Sequence, residues 1–142
     1  MKKLIAVASV GLLACGNAFS AQQEIGCPAE YPGKDVHLFN VPKGWTAVAP
    51  SKLLLTSIFV IVGPPEERGV LKGEHYRLNK KGGYEVRFTE LKRIQEYEKW
   101  IACSYGSDDV AIARRLATET DQCIVTYIPQ QQGGHSIDAV CR

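Results

Sequence analysis

The sequence predicts a mainly β fold: one antiparallel β domain, a meander-like sheet or a sandwich, with room for one short helix and stapled by disulfides. Three observations predict it. Leu53 to Val62, LLLTSIFVIV, is an apolar run rich in β-branched and aromatic residues that stops at Gly63-Pro64-Pro65. Tyr84, Val86 and Phe88 alternate with Glu85, Arg87 and Thr89, the period of a half-buried strand. Four cysteines, Cys27, Cys103, Cys123 and Cys141, remain once Cys15 is set aside, and an even set in an exported chain reads as two disulfides.

The elements follow in order. Residues 26–50 contain four prolines and three glycines; prolines withhold ladder donors, so this stretch is expected to wrap as an extended loop and not as regular sheet. Leu53 to Val62 is apolar at both alternating positions and needs cover on both faces, which makes it a central strand. His75 to Leu78 and Tyr84 to Phe88 flank Asn79-Lys80-Lys81-Gly82-Gly83, a loop whose glycines permit a hairpin. Leu91 to Lys99 fits a helical face or an edge strand. Trp100 to Tyr105, Cys123 to Ile128 and Ser136 to Cys141 read as strands. Val110 to Leu116 is open between a strand and a short helix capped by Asp108-Asp109.

The pairing of the cysteines is not fixed by their number, since four allow three connectivities. Their placement on neighbouring apolar segments favours Cys103 with Cys123, leaving Cys27 with Cys141 to tie the chain ends. A four-cysteine zinc site wants closely spaced C-x-x-C pairs, and none occurs.

The N-terminus has the layout of a secretory signal: Lys2 and Lys3, an apolar run from Leu4 to Ala14, then small residues. The run is shorter than the roughly 20 residues that span a bilayer. Cleavage after Ser20, with Ala18 and Ser20 at the positions a signal peptidase reads, divides the chain into a signal at 1–20 and a β-rich exported domain at 21–142. The alternative reads Leu12-Leu13-Ala14-Cys15 as a lipobox, with Cys15 acylated and the protein anchored in the outer membrane. With Lys2 and Lys3 removed, 17 Lys and Arg become 15, against 15 Asp and Glu. A chain without net charge makes a poor nucleic-acid partner, because that binding rests on many phosphate-facing cations. Clusters such as Lys80-Lys81 and Arg114-Arg115 read as solvated surface.

Catalytic signatures are sparse. H-E-x-x-H, G-x-S-x-G and the P-loop do not occur. His37, His75 and His135 are far apart in sequence and are expected at the surface. Glu66-Glu67 and Asp108-Asp109 are the only adjacent acids that resemble a hydrolytic pair, and both sit beside turn signals. No catalytic residue, cofactor site or metal site is assigned. The stiff turn Pro64-Pro65-Glu66-Glu67-Arg68 has little entropy left to lose on binding and is the expected partner contact. Trp45 is a second candidate anchor, whereas Trp100 is expected in the core against the Cys103 disulfide.

Cys27-Pro28, the strand ending in Gly63-Pro64-Pro65-Glu66, and Trp100-Ile101-Ala102-Cys103-Ser104-Tyr105 together resemble a family of small exported proteins of Gram-negative bacteria with a signal peptide, Cys-Pro, Gly-Pro-Pro-Glu and Trp-x-x-Cys-x-Tyr. The resemblance runs from Cys27 to about Tyr127 and departs in the charged stretch between Phe88 and Trp100. It implies an exported, disulfide-bearing β domain and brings no catalytic residue with it. The expected function is therefore a non-catalytic periplasmic protein that binds another envelope protein, as an inhibitor or immunity protein against an envelope-acting enzyme or toxin. A structural outer-membrane lipoprotein follows if Cys15 is acylated, and a small cell-wall or lipid hydrolase if folding sets a histidine beside an acid in a cleft.

Overall fold

A computed structural model of the chain describes residues 22–78, 82–107 and 110–142. The signal segment 1–20 with Cys15, the Asn79-Lys80-Lys81 part of the hairpin loop, and Asp108-Asp109 lie outside the described residues.

Among the described residues nine strands form two antiparallel sheets: β1 (Gln23–Ile25), β2 (Glu30–Pro32), β3 (Lys52–Val62), β4 (Glu74–Arg77), β5 (Tyr84–Phe88), β6 (Lys99–Tyr105), β7 (Val110–Arg115), β8 (Cys123–Pro129) and β9 (His135–Cys141). The larger sheet has the order β1-β9-β8-β5-β4 and the smaller β2-β3-β6-β7. Among the described residues there is no α-helix, only 3-10 turns at Gly33–Asp35, Pro65–Glu67 and Leu91–Arg93. The short helix allowed for at 110–116 is strand β7 instead, paired with β6 from Trp100↔Arg115 to Tyr105↔Val110. In extended form Val110 and Ile112 come into register with Tyr105 and Cys103 of β6 and are half-buried, while Ala111 and Ala113 between them are exposed. The stretch 91–99 is neither helix nor edge strand: Leu91 is wholly buried at the start of a 3-10 turn, while Tyr97 is 59% exposed.

The core lies between the sheets. Ile58, Val60 and Ile101 from the smaller meet Val86, Phe88, Val125, Tyr127 and Ala139 from the larger. Alternation does the sorting, since every second residue of a strand faces the same side. The amide of Ile58 on β3 donates to the Tyr127 hydroxyl on β8 at 3.3 Å, so a polar contact crosses the apolar layer. β3 carries a bulge at Thr56, between the pairs Leu55↔Tyr105 and Ser57↔Ser104, and the Thr56 hydroxyl donates to the Ser104 carbonyl at 3.1 Å.

The disulfides are Cys27–Cys103 and Cys123–Cys141, which corrects the expected Cys103–Cys123 and Cys27–Cys141. Cys103 and Cys123 sit on strands of different sheets. Cys123 and Cys141 face each other directly across β8 and β9, close enough to bond without moving either strand. Cys27 lies where the chain passes from β1 in one sheet to β2 in the other, and its bond to β6 ties that crossing down. The chain ends are still joined, by strand pairing and not by sulfur: β1 pairs with β9, Gln23 opposite Cys141.

Trp100 is also placed differently. It stands three residues from Cys103 on one strand, hence on the opposite face, in register with Ile61 and Arg115. It cannot pack on the disulfide, and its buried Nε1 has no hydrogen-bond partner among the described residues.

Candidate binding surface

Two surface features at opposite ends of β3 follow from this frame. The first is the loop between β2 and β3. Pro32 pairs with Lys52, and the amide of Gly33 donates to the Ser51 carbonyl at 3.1 Å, which closes the loop at its neck. A Cβ on Gly33 would lie 1.6 Å from the Pro50 carbonyl oxygen, so only glycine permits this approach. Pro42 to Trp45 form a turn, with the Trp45 amide donating to the Pro42 carbonyl at 3.0 Å and Gly44 at φ +86°. From His37 to Pro50 every residue is exposed. Among them Phe39 is 86% exposed, Val48 83%, Trp45 76% and Leu38 60%. Fully burying one such side chain is worth about 1.5–3 kcal/mol, and the fold leaves all four unused.

The second feature is the outer face of the smaller sheet. Beyond β3, Gly63 takes φ +84° and Arg68 the left-handed conformation, and the Val62 amide donates to the Gly69 carbonyl at 2.9 Å, folding Pro64 to Arg68 into a closed flap. Of the predicted contact residues, Pro64, Glu66, Glu67 and Arg68 are exposed and Pro65 is half-buried. Pro65, Glu66 and Arg68 rim a groove of about 680 Å³ floored by Phe59, Ile61 and Ala102 and bordered by Ala111 and Ala113. The turn is thus the wall of an open depression and not an isolated protrusion.

The histidines separate. His37, His75 and His135 are all exposed. His37 lies in the 36–50 loop, whereas His75 and His135 flank Tyr84, with ring centroids 6.1 and 5.9 Å from it. Tyr84 in turn stacks on Tyr127 at 4.5 Å. Among the described residues no hydrogen bond joins a histidine to a carboxylate, and no cluster of metal-ligating side chains occurs. Glu66 and Glu67 are solvated on the flap.

Sequence reasoning singled out Trp45 but missed Leu38, Phe39 and Val48 beside it. Their signal was present: large apolar residues in a stretch broken by Pro42, Gly44 and Pro50 have no strand period with which to reach the core.

Two antiparallel sheets around one core, cross-linked by two disulfides and with the prominent apolar groups on a loop and in an open groove, define a mainly β protein with candidate binding surfaces. The chain belongs to the Type VI secretion system Tli immunity protein family, whose model matches residues 50–142, from the start of β3 to the C-terminus. The match takes in the Gly63-Pro64-Pro65-Glu66 and Trp100-to-Tyr105 segments and leaves Cys27-Pro28 and the apolar loop outside it. No curated protein and no solved structure matches the chain.

Proposed function

We propose that this protein is exported to the periplasm and there protects the cell by binding one toxin in a stoichiometric, non-catalytic complex. Membership of an immunity-protein family supports a toxin as the partner. Two disulfides support an oxidising compartment, where such bonds persist. The loop carrying Leu38, Phe39, Trp45 and Val48 is the observation that carries the reading: closed at its neck and fully exposed, it offers large apolar anchors of the kind that dominate binding energy at interfaces. The Pro64–Arg68 flap and its groove are the second contact.

The experiment is co-expression. Each toxin of the bacterium's type VI system is directed to the periplasm, alone or with this protein in exported or cytoplasmically retained form. Survival with one toxin, only when the protein is exported, together with a complex of equal stoichiometry, is the expected result. Failure to protect against any of them overturns the immunity reading, and equal protection by the retained form overturns the periplasmic one.

A further inference from the structure

The sheet edges of this fold are not protected alike. An edge strand presents unpaired N–H and C=O groups, and soluble proteins blunt it by shortness, proline or charge. β1 has three residues, β2 has three and ends in Pro32, and β4 carries Glu74 and Arg77. β7 is different. It lies at the end of the smaller sheet, where among the described residues only β6 pairs with it, it is six residues long, and Val110-Ala111-Ile112-Ala113 bears no charge. The protection begins only at Arg114 and Arg115.

The outer face beside this edge is cut low. Ala111 and Ala113 are exposed and stand in register with Ser104 and Ala102 of β6, which in turn oppose Ser57 and Phe59 of β3. Small side chains in successive rows leave the groove that the Pro64–Arg68 flap closes at one end. An extended chain laid along β7 would extend the ladder through its backbone. Every second side chain would overhang the alanines, where there is room for a large apolar group. Beyond the alanines, Arg115 on the same face bridges to Glu98 at 2.9 Å, and Arg114, in register with Ile101 and so on the other face of the strand, is exposed and without an ion pair among the described residues.

Resting on the immunity reading above, we propose that β7 is a strand-addition site. Its occupant is an extended segment of the toxin, apolar at alternating positions and acidic where it passes Arg114. The backbone supplies affinity and the alanine groove supplies selection for large side chains.

Amide exchange on the intact mature protein, alone and with the toxin that co-expression identifies, tests this. Outward-pointing amides of Val110 to Arg114 should exchange fast in the free protein and slow by about tenfold or more in the complex. Ala113→Lys, at an exposed position, should weaken the complex about tenfold or more while the β6 amides keep their protection. Among overlapping peptides spanning that toxin, the strongest binder should be an alternating apolar run ending in Asp or Glu. A complex that leaves the β7 amides unprotected, or that Ala113→Lys does not weaken, overturns the strand-addition site and leaves the immunity reading standing. Absence of any toxin complex overturns both.

Discussion

Lys99 Nζ donates to the carbonyl of Leu91 at 2.9 Å from a side chain that is only 3% exposed, and the same ammonium also reaches the carbonyls of Thr118 and Thr120 at 3.0 and 3.2 Å. One cation thereby gathers two irregular connections, the 3-10 turn after β5 and the loop between β7 and β8, whose backbones have no ladder to join. A lysine at the start of a strand is ordinarily solvent-facing; here it replaces secondary structure.

Removing that donor strands the carbonyls of Thr118 and Thr120, while that of Leu91 keeps the Ile94 amide at 3.2 Å, and each buried unsatisfied group costs about 1–3 kcal/mol. Lys99→Met should lower the unfolding free energy by about 3 kcal/mol in urea titration, and a change under about 0.5 kcal/mol would show the contacts to be dispensable. Burial also pushes the Lys99 ammonium below its ordinary 10.5, against the opposing pull of Asp121 and Glu119. Between the folded value and 10.5 the unfolded chain binds more protons, so this group's contribution to stability rises with pH across that window. Tyr105 runs the other way, because burial raises its hydroxyl and the stability it confers is lost above 10.0. The difference between wild type and Lys99→Met, followed into mild alkali, isolates the lysine.

Peptide mapping of the unreduced protein should recover Cys27 with Cys103 and Cys123 with Cys141, and any other pairing would refute the strand order. The bridges close sequence separations of 76 and 18, which in the chain-entropy account correspond to about 4.5 and 3 kcal/mol. Replacing Cys27 and Cys103 by alanine should therefore cost more than replacing Cys123 and Cys141, whose strands remain paired without sulfur.

Gly33→Ala places a methyl group 1.6 Å from the Pro50 carbonyl oxygen and must open the neck of the loop. Loss of the Gly33–Ser51 hydrogen bond and local rearrangement should cost about 1–3 kcal/mol. Toxin affinity should fall with it, because the anchors above the neck lose their fixed presentation. Unchanged affinity would mean that the loop's shape is irrelevant to binding.

Phe39→Ser combined with Trp45→Ser separates binding from folding. Both residues lie outside the core, so the unfolding free energy should change by less than about 0.5 kcal/mol. The toxin complex should weaken by about 2 kcal/mol or more, the cost typical of truncating aromatic anchors. Full retention of affinity would remove the loop from the interface.

Much of this architecture is legible in the residues themselves. Leu53 to Val62 is apolar at both alternating positions and is the central strand expected, but the expected cover on both faces is missing: only Ile58, Val60 and Ile61 are buried, Leu54 is exposed, and the outer face floors an open groove. Tyr84 to Phe88 alternate and had to be half-buried; the even set of cysteines had to be disulfides once the chain was read as exported. Those inferences need only near neighbours in sequence, because side-chain period and β-branching act within a strand. Which strand lies beside which is a different kind of fact. That Cys123 meets Cys141 and not Cys103, that Trp100 turns away from the disulfide, that Pro65 and Arg68 wall a groove floored by Phe59 and Ala102, and that β7 is left as an open edge all depend on contacts between residues far apart in the chain. Only the packing of two sheets around one core selects those contacts, since strands of similar composition pair almost equally well until the whole apolar surface must be covered at once.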